Sequence, residues 1–211
     1  MERMPIIPRR VVTGHDERGV SVFTSDGPVP VARTVPDGAC FFEIWSTDAM
    51  PALIAAIEDD PTLTALTALT VPPSPNGTKI RINEFPPGAV SPVHRTQSVD
   101  YGIVLSGEMV LVLDDSETVL RAGDVAVQRG TNHRWENRTP ETVRMAFILV
   151  DGAFTDELLD TLGRDVLGGL LNDPINHEPT SHEPTSHEPT SHEPTSHEPT
   201  SHGPAGQGPQ A

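Results

Sequence analysis

Two histidines and an aspartate stand out as residues whose chemistry can exceed packing. His94 lies in GAVSPVHRTQSVDYGIVLSGE (88–108), with Asp100 six residues beyond it, and His133 lies in GDVAVQRGTNHRWEN (123–137). Neutral imidazole nitrogens and a carboxylate are ligands for a divalent cation. Without a cation, the same groups can take and give protons, or hydrogen-bond as part of a pocket wall. The residue types leave all three uses open.

These side chains need rigid elements to bring them together. Short runs rich in Val, Ile and Phe recur along the chain: VSVFT (20–24), ACFFEIW (39–45), TKIRINEF (78–85), YGIVL (101–105), EMVLVL (108–113), ETVL (117–120), DVAVQ (124–128) and VRMAFILV (143–150). Gly, Pro, Asp and Asn punctuate them, so they read as strands of an antiparallel barrel or sandwich. KIRINEF alternates apolar and polar residues, as a half-buried strand does. SGE (106–108) and DDSE (114–117) read as hairpin turns. A helix is expected over AMPALIAAIEDD (49–60), capped by Asp48 with Pro51 in its first turn. A second is expected from Thr155 as N-cap, with Asp156 and Glu157 at its positive end and an apolar stripe of Leu158, Leu162 and Val166. Phe154 and Leu159 occupy the staple positions around that cap. Between the first helix and the central strands, Leu63, Leu66 and Leu69 recur every third residue of PTLTALTALTVPPSPNG (61–77), a loop over the barrel mouth, part of a dimer contact or a surface insertion.

The C-terminus is different in kind. HEPTS repeats five times from position 177 to 201, without an apolar residue to offset the entropy of ordering, so residues 173–211 are expected to be a disordered tail. Its histidines could hold metal weakly. The foldable part has the size of one domain. It divides into an N-terminal extension with strands and a short helix packing on the barrel (1–76), the barrel (77–152) and a C-terminal helix (153–172). The net charge of −16 and the lack of a basic stripe argue against nucleic acid and anionic membranes. No run approaches the length of a membrane span, and the first residues lack an apolar signal core, so a cytoplasmic protein is the default expectation. The one cysteine, Cys40, sits in an apolar run and reads as a buried small hydrophobe.

The two histidine stretches resemble the paired motifs of the cupin superfamily. Its first motif runs Gly, five residues, His-x-His, Glu, Gly; its second runs Gly, a Pro-x-Gly turn, His, Asn. Gly88, His94, Asp100 and Gly107 match the first, and Gly123, Gly130, His133 and Asn137 the second, over positions 78–150. Thr96 stands where the second histidine would be, Asp100 where the glutamate would be, and Gln128 where the proline would be. The resemblance implies an all-β fold, a small antiparallel cupin (jelly-roll) barrel with short helices. It also implies that His94, Asp100 and His133 hold a divalent metal, Fe(II), Mn or Zn, in the composition of a two-histidine, one-carboxylate triad. With RRVVTGHDERGVSVFTSDGP (9–28) included, the chain is similar to small single-barrel cupins of bacteria and fungi, several from polyketide pathways and often described as cupin-domain oxidoreductases.

The expected function is therefore a cupin-type small-molecule enzyme, with His94, His133 and Asp100 catalytic and a metal that polarises a substrate oxygen or binds oxygen beside it. An aromatic, polyketide-like or hydroxylated cyclic acid would fit. Thr96 and Trp135 are expected on the pocket wall, Trp135 either stacking on substrate or packing in the core. The alternatives are a metal-free cyclase, isomerase or decarboxylase using the histidines, or a ligand-binding module without catalysis. Edge strands of such barrels are covered by a second subunit, so a homodimer is expected. Among outlying residues, Trp45 could stack on a ligand and Tyr101 should point away from the pocket. His15 is read as a turn residue or part of a neighbouring subunit's site, and Arg9 with Arg10 as a solvated pair or a carboxylate fork.

Overall fold

The computed structural model describes residues 5–66 and 69–171, and the HEPTS tail lies outside them. The described residues form eleven strands: β1 (Arg9–His15), β2 (Ser21–Pro28), β3 (Ala32–Thr34), β4 (Cys40–Thr47), β5 (Thr78–Phe85), β6 (Ser98–Ser106), β7 (Glu108–Val112), β8 (Glu117–Arg121), β9 (Val125–Arg129), β10 (Arg134–Glu136) and β11 (Val143–Asp151). All the β-rich runs read from the sequence fall on these strands. Three sheets form, ordered β3-β4-β5-β11-β6-β9, β10-β7-β8 and β1-β2, with every pairing antiparallel. The two larger sheets face each other across a core that includes Val104, Met109, Val143, Met145 and Trp135.

One of the two expected hairpin turns departs from the expectation. DDSE joins β7 to its partner β8, as a hairpin should, with the Leu113 N–H donating to the Ser116 carbonyl at 2.8 Å. SGE does not make a hairpin, because β6 pairs with β11 and β9 while β7 pairs with β10 and β8. It is the corner at which the chain leaves one sheet for the other. Gly107 makes that corner with φ 83°, and a Cβ there would sit 3.0 Å from Val143 Cγ2.

The helix expected over 49–60 is absent. Leu53, Ile54 and Ile57 are 78%, 88% and 90% exposed, so no surface among the described residues receives an apolar stripe. A helix of that length without tertiary packing is marginal in water. The segment is tied at its end instead: the Asp60 carboxylate pairs with buried Arg10 and accepts from Thr62 N–H at 3.0 Å, opening a 3-10 turn over Pro61–Leu66. Arg10 also lies over the Trp45 ring at 5.7 Å. It is therefore a buried structural cation, not half of a solvated pair, while Arg9 is an exposed partner of Asp26 at 2.7 Å.

The C-terminal helix is α1 (Asp156–Leu162), shorter than expected. Thr155 caps it, its hydroxyl accepting from Leu158 N–H at 3.3 Å. Gly163 ends it with φ 85°, so Val166 falls in a following 3-10 turn, and the side chain that α1 buries is Leu159 rather than the 158/162/166 stripe. No helix among the described residues is long and apolar enough to cross a membrane.

The alternation in β5 runs in the unusual sense. Lys79, Arg81 and Asn83 are buried, whereas Ile80 and Ile82 are half-buried on the outer face. Ile82 packs there against Val29, Cys40 and Phe42. Burial pushes the Cys40 thiol up to about 11, so it is inert, as its apolar setting foretold.

Candidate active site

The histidines meet because two short segments run antiparallel outside the main strands. Ser91 N–H donates to the Trp135 carbonyl at 2.9 Å. His94 and His133 then exchange both backbone hydrogen bonds, at 2.9 and 3.0 Å. Residues opposed in this way project to the same face, and the ring centroids lie 4.2 Å apart. Asn137 fixes the far end of the second segment. It is fully buried, its amide donates to the carbonyls of Phe85, Pro86 and Glu141 at 2.8–3.0 Å, and its Oδ1 accepts from Thr139.

Each ring is oriented by a carbonyl two residues before it: His94 Nδ1 bonds Pro92 O and His133 Nδ1 bonds Thr131 O, both at 2.9 Å. A carbonyl only accepts, so each Nδ1 carries the proton and each Nε2 keeps its lone pair while the ring is neutral. Neutrality is enforced. Burial, and then the neighbouring His94, push the His133 ring down to about 4, and burial lowers His94. Two unprotonated nitrogens on adjacent rings therefore border one cavity.

That cavity has a volume of about 450 Å³ and is walled by both histidines, Trp135, Phe41, Phe147 and Leu149, among others. This is ordinary size for a small-molecule site. Trp135 stands edge-on to His133 at 6.1 Å and to Phe147 at 5.4 Å, so it is at once core and pocket wall. Gly102 makes room for it, since a Cβ at that position would lie 3.4 Å from the indole and 3.2 Å from Phe147. Val71 and Leu171 also line the cavity, so part of the 61–77 insertion reaches it. Leu69 from the same insertion is buried in the core, and Leu63 is exposed.

Asp100 lies on the same cavity wall, yet among the described residues no three His, Cys, Asp or Glu side chains form a metal-ligating cluster. The structure thus joins two of the three expected ligands and leaves Asp100 apart. Burial raises the Asp100 carboxyl above the usual carboxylate range. Thr96, expected on the wall, stands behind it: Thr96 Oγ1 donates to Asp100 Oδ2 at 3.4 Å and accepts from Ser98 at 2.9 Å. It does not line the cavity. The donor set fits a divalent cation through His94 and His133 only. Trp45, His15 and Tyr101 lie away from the cavity, Tyr101 being exposed on the outer face as expected.

Polar residues that the motifs do not mark share the wall. Register places Lys79, Leu149, Asp100 and Gln128 in one row across β5, β11, β6 and β9, and Glu43, Arg81, Phe147 and Gly102 in the next row, from β4 to β6. Arg81 and Asn83 border the cavity. Arg81 pairs with Glu43 at 3.2 Å and donates to Thr70 O at 2.7 Å. The signal for them was the alternation of KIRIN, whose polar phase faces inward.

Known proteins are similar to this chain. The profile described as the cupin domain matches residues 81–150. The phomopsin biosynthesis cluster protein C′ of Diaporthe leptostromiformis is 41% identical over 150 residues, 68% of this chain and 78% of its own. The cupin-domain-containing oxidoreductase fogC of Aspergillus ruber is 35% identical over 174 residues, 75% of this chain and 83% of its own. Among solved structures, the cupin domain of Schizosaccharomyces pombe Cnp3 is similar over 77% of this chain and 94% of its own, with 14% identity and a TM-score of 0.42. With its paired motifs opposed across one barrel, and with relatives of this identity over two thirds of its length, the chain belongs to the cupin family.

Proposed function

We propose that the protein is an oxidoreductase-type enzyme for a small, largely apolar molecule, an aromatic or polyketide-like compound, with the His94–His133 pair as its reactive centre. One observation carries this reading: backbone carbonyls hold both Nδ1 protons, so two Nε2 lone pairs border the same apolar-walled cavity. The names of fogC and of other relatives as cupin-domain-containing oxidoreductases support the reaction type. In the first form of the reading the pair holds a divalent metal, Fe(II), Mn or Zn, which supplies Lewis-acid or redox chemistry when bound. The chain's own contribution is to keep both imidazoles neutral, to fix their tautomer and to surround the substrate with Trp135, Phe147 and Leu149, which exclude water.

The separate placement of Asp100 favours a second form, in which the pair works without metal. A neutral His133 then takes a substrate proton at Nε2, as in a cyclase, isomerase or decarboxylase. Conversion of candidate aromatic acids, followed by mass spectrometry and an oxygen electrode, tests both forms. Loss of turnover in His94→Ala, in His133→Ala and in chelator supports the first. Turnover that survives chelator and fails in both variants supports the second. Turnover indifferent to either histidine contradicts both.

A second copy of the chain belongs to this reading. The β1–β2 hairpin exposes Phe23 at 74%, and its two strands pair with no other sheet among the described residues. An isolated hairpin is marginal in water. Sedimentation of the wild type as a monomer would refute the dimer.

A further inference from the structure

The outer face of the six-stranded sheet is apolar where a solvated face would be polar. Register lines up Trp45, Ile80, Ile148, Tyr101 and Val127 in one row across β4, β5, β11, β6 and β9. The neighbouring row, from Phe42 to Val125, is apolar as well, and neither row carries a charge. An antiparallel sheet with one face in water alternates apolar and polar residues. Within one chain the cover of this face is partial. At the β4 end Phe42 is buried in a cluster with Val29, and Arg10 of β1 lies over Trp45. Ile80 and Ile148 are half-buried. At the β9 end Tyr101, Val125 and Val127 are 40%, 53% and 56% exposed.

The β1–β2 hairpin has the complementary need. Its strands pair only with each other among the described residues. Val11 and Phe23 share one of its faces, because Thr13 lies opposite Phe23, and they are 43% and 74% exposed. Both the hairpin and the β9 end of the sheet stay bare in one chain, so neither covers the other. Taking about 150–200 Å² for a fully exposed residue, the bare parts of this hairpin face and of the two rows come to roughly 600 Å² per copy. Reciprocal exchange of hairpins would cover on the order of 1,200 Å², the threshold of a stable interface. Charge agrees. A chain of net charge −16 repels its copies unless they meet on uncharged surface. Within the hairpin, Arg9 pairs with Asp26 and Arg18 with Asp16. The charge left at its turn is Glu17, and Arg129 ends β9 beside Val99; neither has an ion-pair partner among the described residues.

We propose that the bare β6–β9 part of this face seats the β1–β2 hairpin of a second copy, the two hairpins exchanged about a two-fold axis, with Phe23 of one protomer against Tyr101 and Val127 of its partner. The assignment rests on the reading that the chain pairs with a second copy, and it names the two surfaces that meet. It also gives the outward isoleucines of β5 a reason, since both faces of the sheet are covered in such a pair.

Sedimentation equilibrium of the full chain tests the assignment, with Phe23→Asp on the hairpin and Val127→Asp on the sheet. Both positions are exposed in the single chain, so the variants should fold, and a Cys40 that stays unreactive in native protein checks that they do. Each variant should dissociate about thirtyfold or more readily than the wild type. Leu53→Asp, at a residue 78% exposed elsewhere, should leave the dimer unchanged. An equal mixture of Phe23→Asp and Val127→Asp should recover dimers, because one of the two contacts in the mixed pair joins two unaltered surfaces; native mass spectrometry identifies that pair by its mass. A monomeric wild type refutes the pairing and the assignment with it. Undiminished dimers in Phe23→Asp or in Val127→Asp overturn the assignment and leave the pairing standing. So does equal dissociation of Leu53→Asp, and so does a mixture that fails to recover. If either variant fails to fold, Val11→Asp or Tyr101→Asp takes its place on the same surface.

Discussion

The neutral state of His133 has a measurable consequence for stability. Burial and the adjacent His94 take its ring from the ordinary 6.5 down to about 4 in the folded protein. The unfolded chain binds this proton near 6.5, so between 6.5 and 4 the unfolded state holds more protons than the folded one, and stability falls as pH falls. The stabilisation is complete above 6.5 and is lost as pH falls through 4. A gap of about 2.5 pH units at 1.36 kcal/mol each corresponds to about 3 kcal/mol for this one group. The perturbation is His133→Gln, which keeps a polar side chain of similar reach and removes the titration. Urea unfolding at a series of pH values, in chelator, gives each protein's stability curve. The wild type should lose about 3 kcal/mol more than the variant between pH 7 and pH 4. Parallel curves would refute the buried, neutral His133 and with it the electrostatic account of the pair.

Three further outcomes follow from the packing. Asn137→Ala strips the amide from three carbonyls and should cost about 2–3 kcal/mol in urea unfolding, since buried acceptors are left unsatisfied. Gly102→Val forces a branched side chain against Phe147 and Trp135, where even a Cβ is 3.2 and 3.4 Å away. It should cost about 1–3 kcal/mol and lower ligand affinity by displacing the indole. Cys40, buried and raised to about 11, should resist a maleimide in native protein and react on unfolding; rapid native labelling would contradict its placement.

What the sequence made legible was whatever depends on local pattern. The β-rich runs became strands because branched and aromatic residues at alternate positions find a pleated surface to cover. The two motifs pointed to His94 and His133, and the backbone exchange between them shows why spacing within each motif matters. Asp100 was equally visible, but its separation from the histidine pair depends on how β6 sits relative to the 88–94 segment, which no local pattern encodes. The helix over 49–60 misled because its apolar spacing was genuine while the described residues supply no surface for it to pack on. KIRIN is the strand its alternation indicates, β5, but alternation gives the period of a strand and not which phase faces inward, and here that phase decides the character of the site. Arg81 and Asn83 could be found only once the barrel had closed around them.

The most direct test of the account's central claim is metal content of the full chain, by elemental analysis, beside a His94→Ala/His133→Ala double variant. The tail histidines at 177, 182, 187, 192, 197 and 202 are common to both proteins and cancel in the difference. The leading form of the reading predicts about one more divalent ion per chain in the wild type. Equal content in the two proteins, with the variant still folded, would contradict a metal on the pair and leave the histidines as proton-transfer groups.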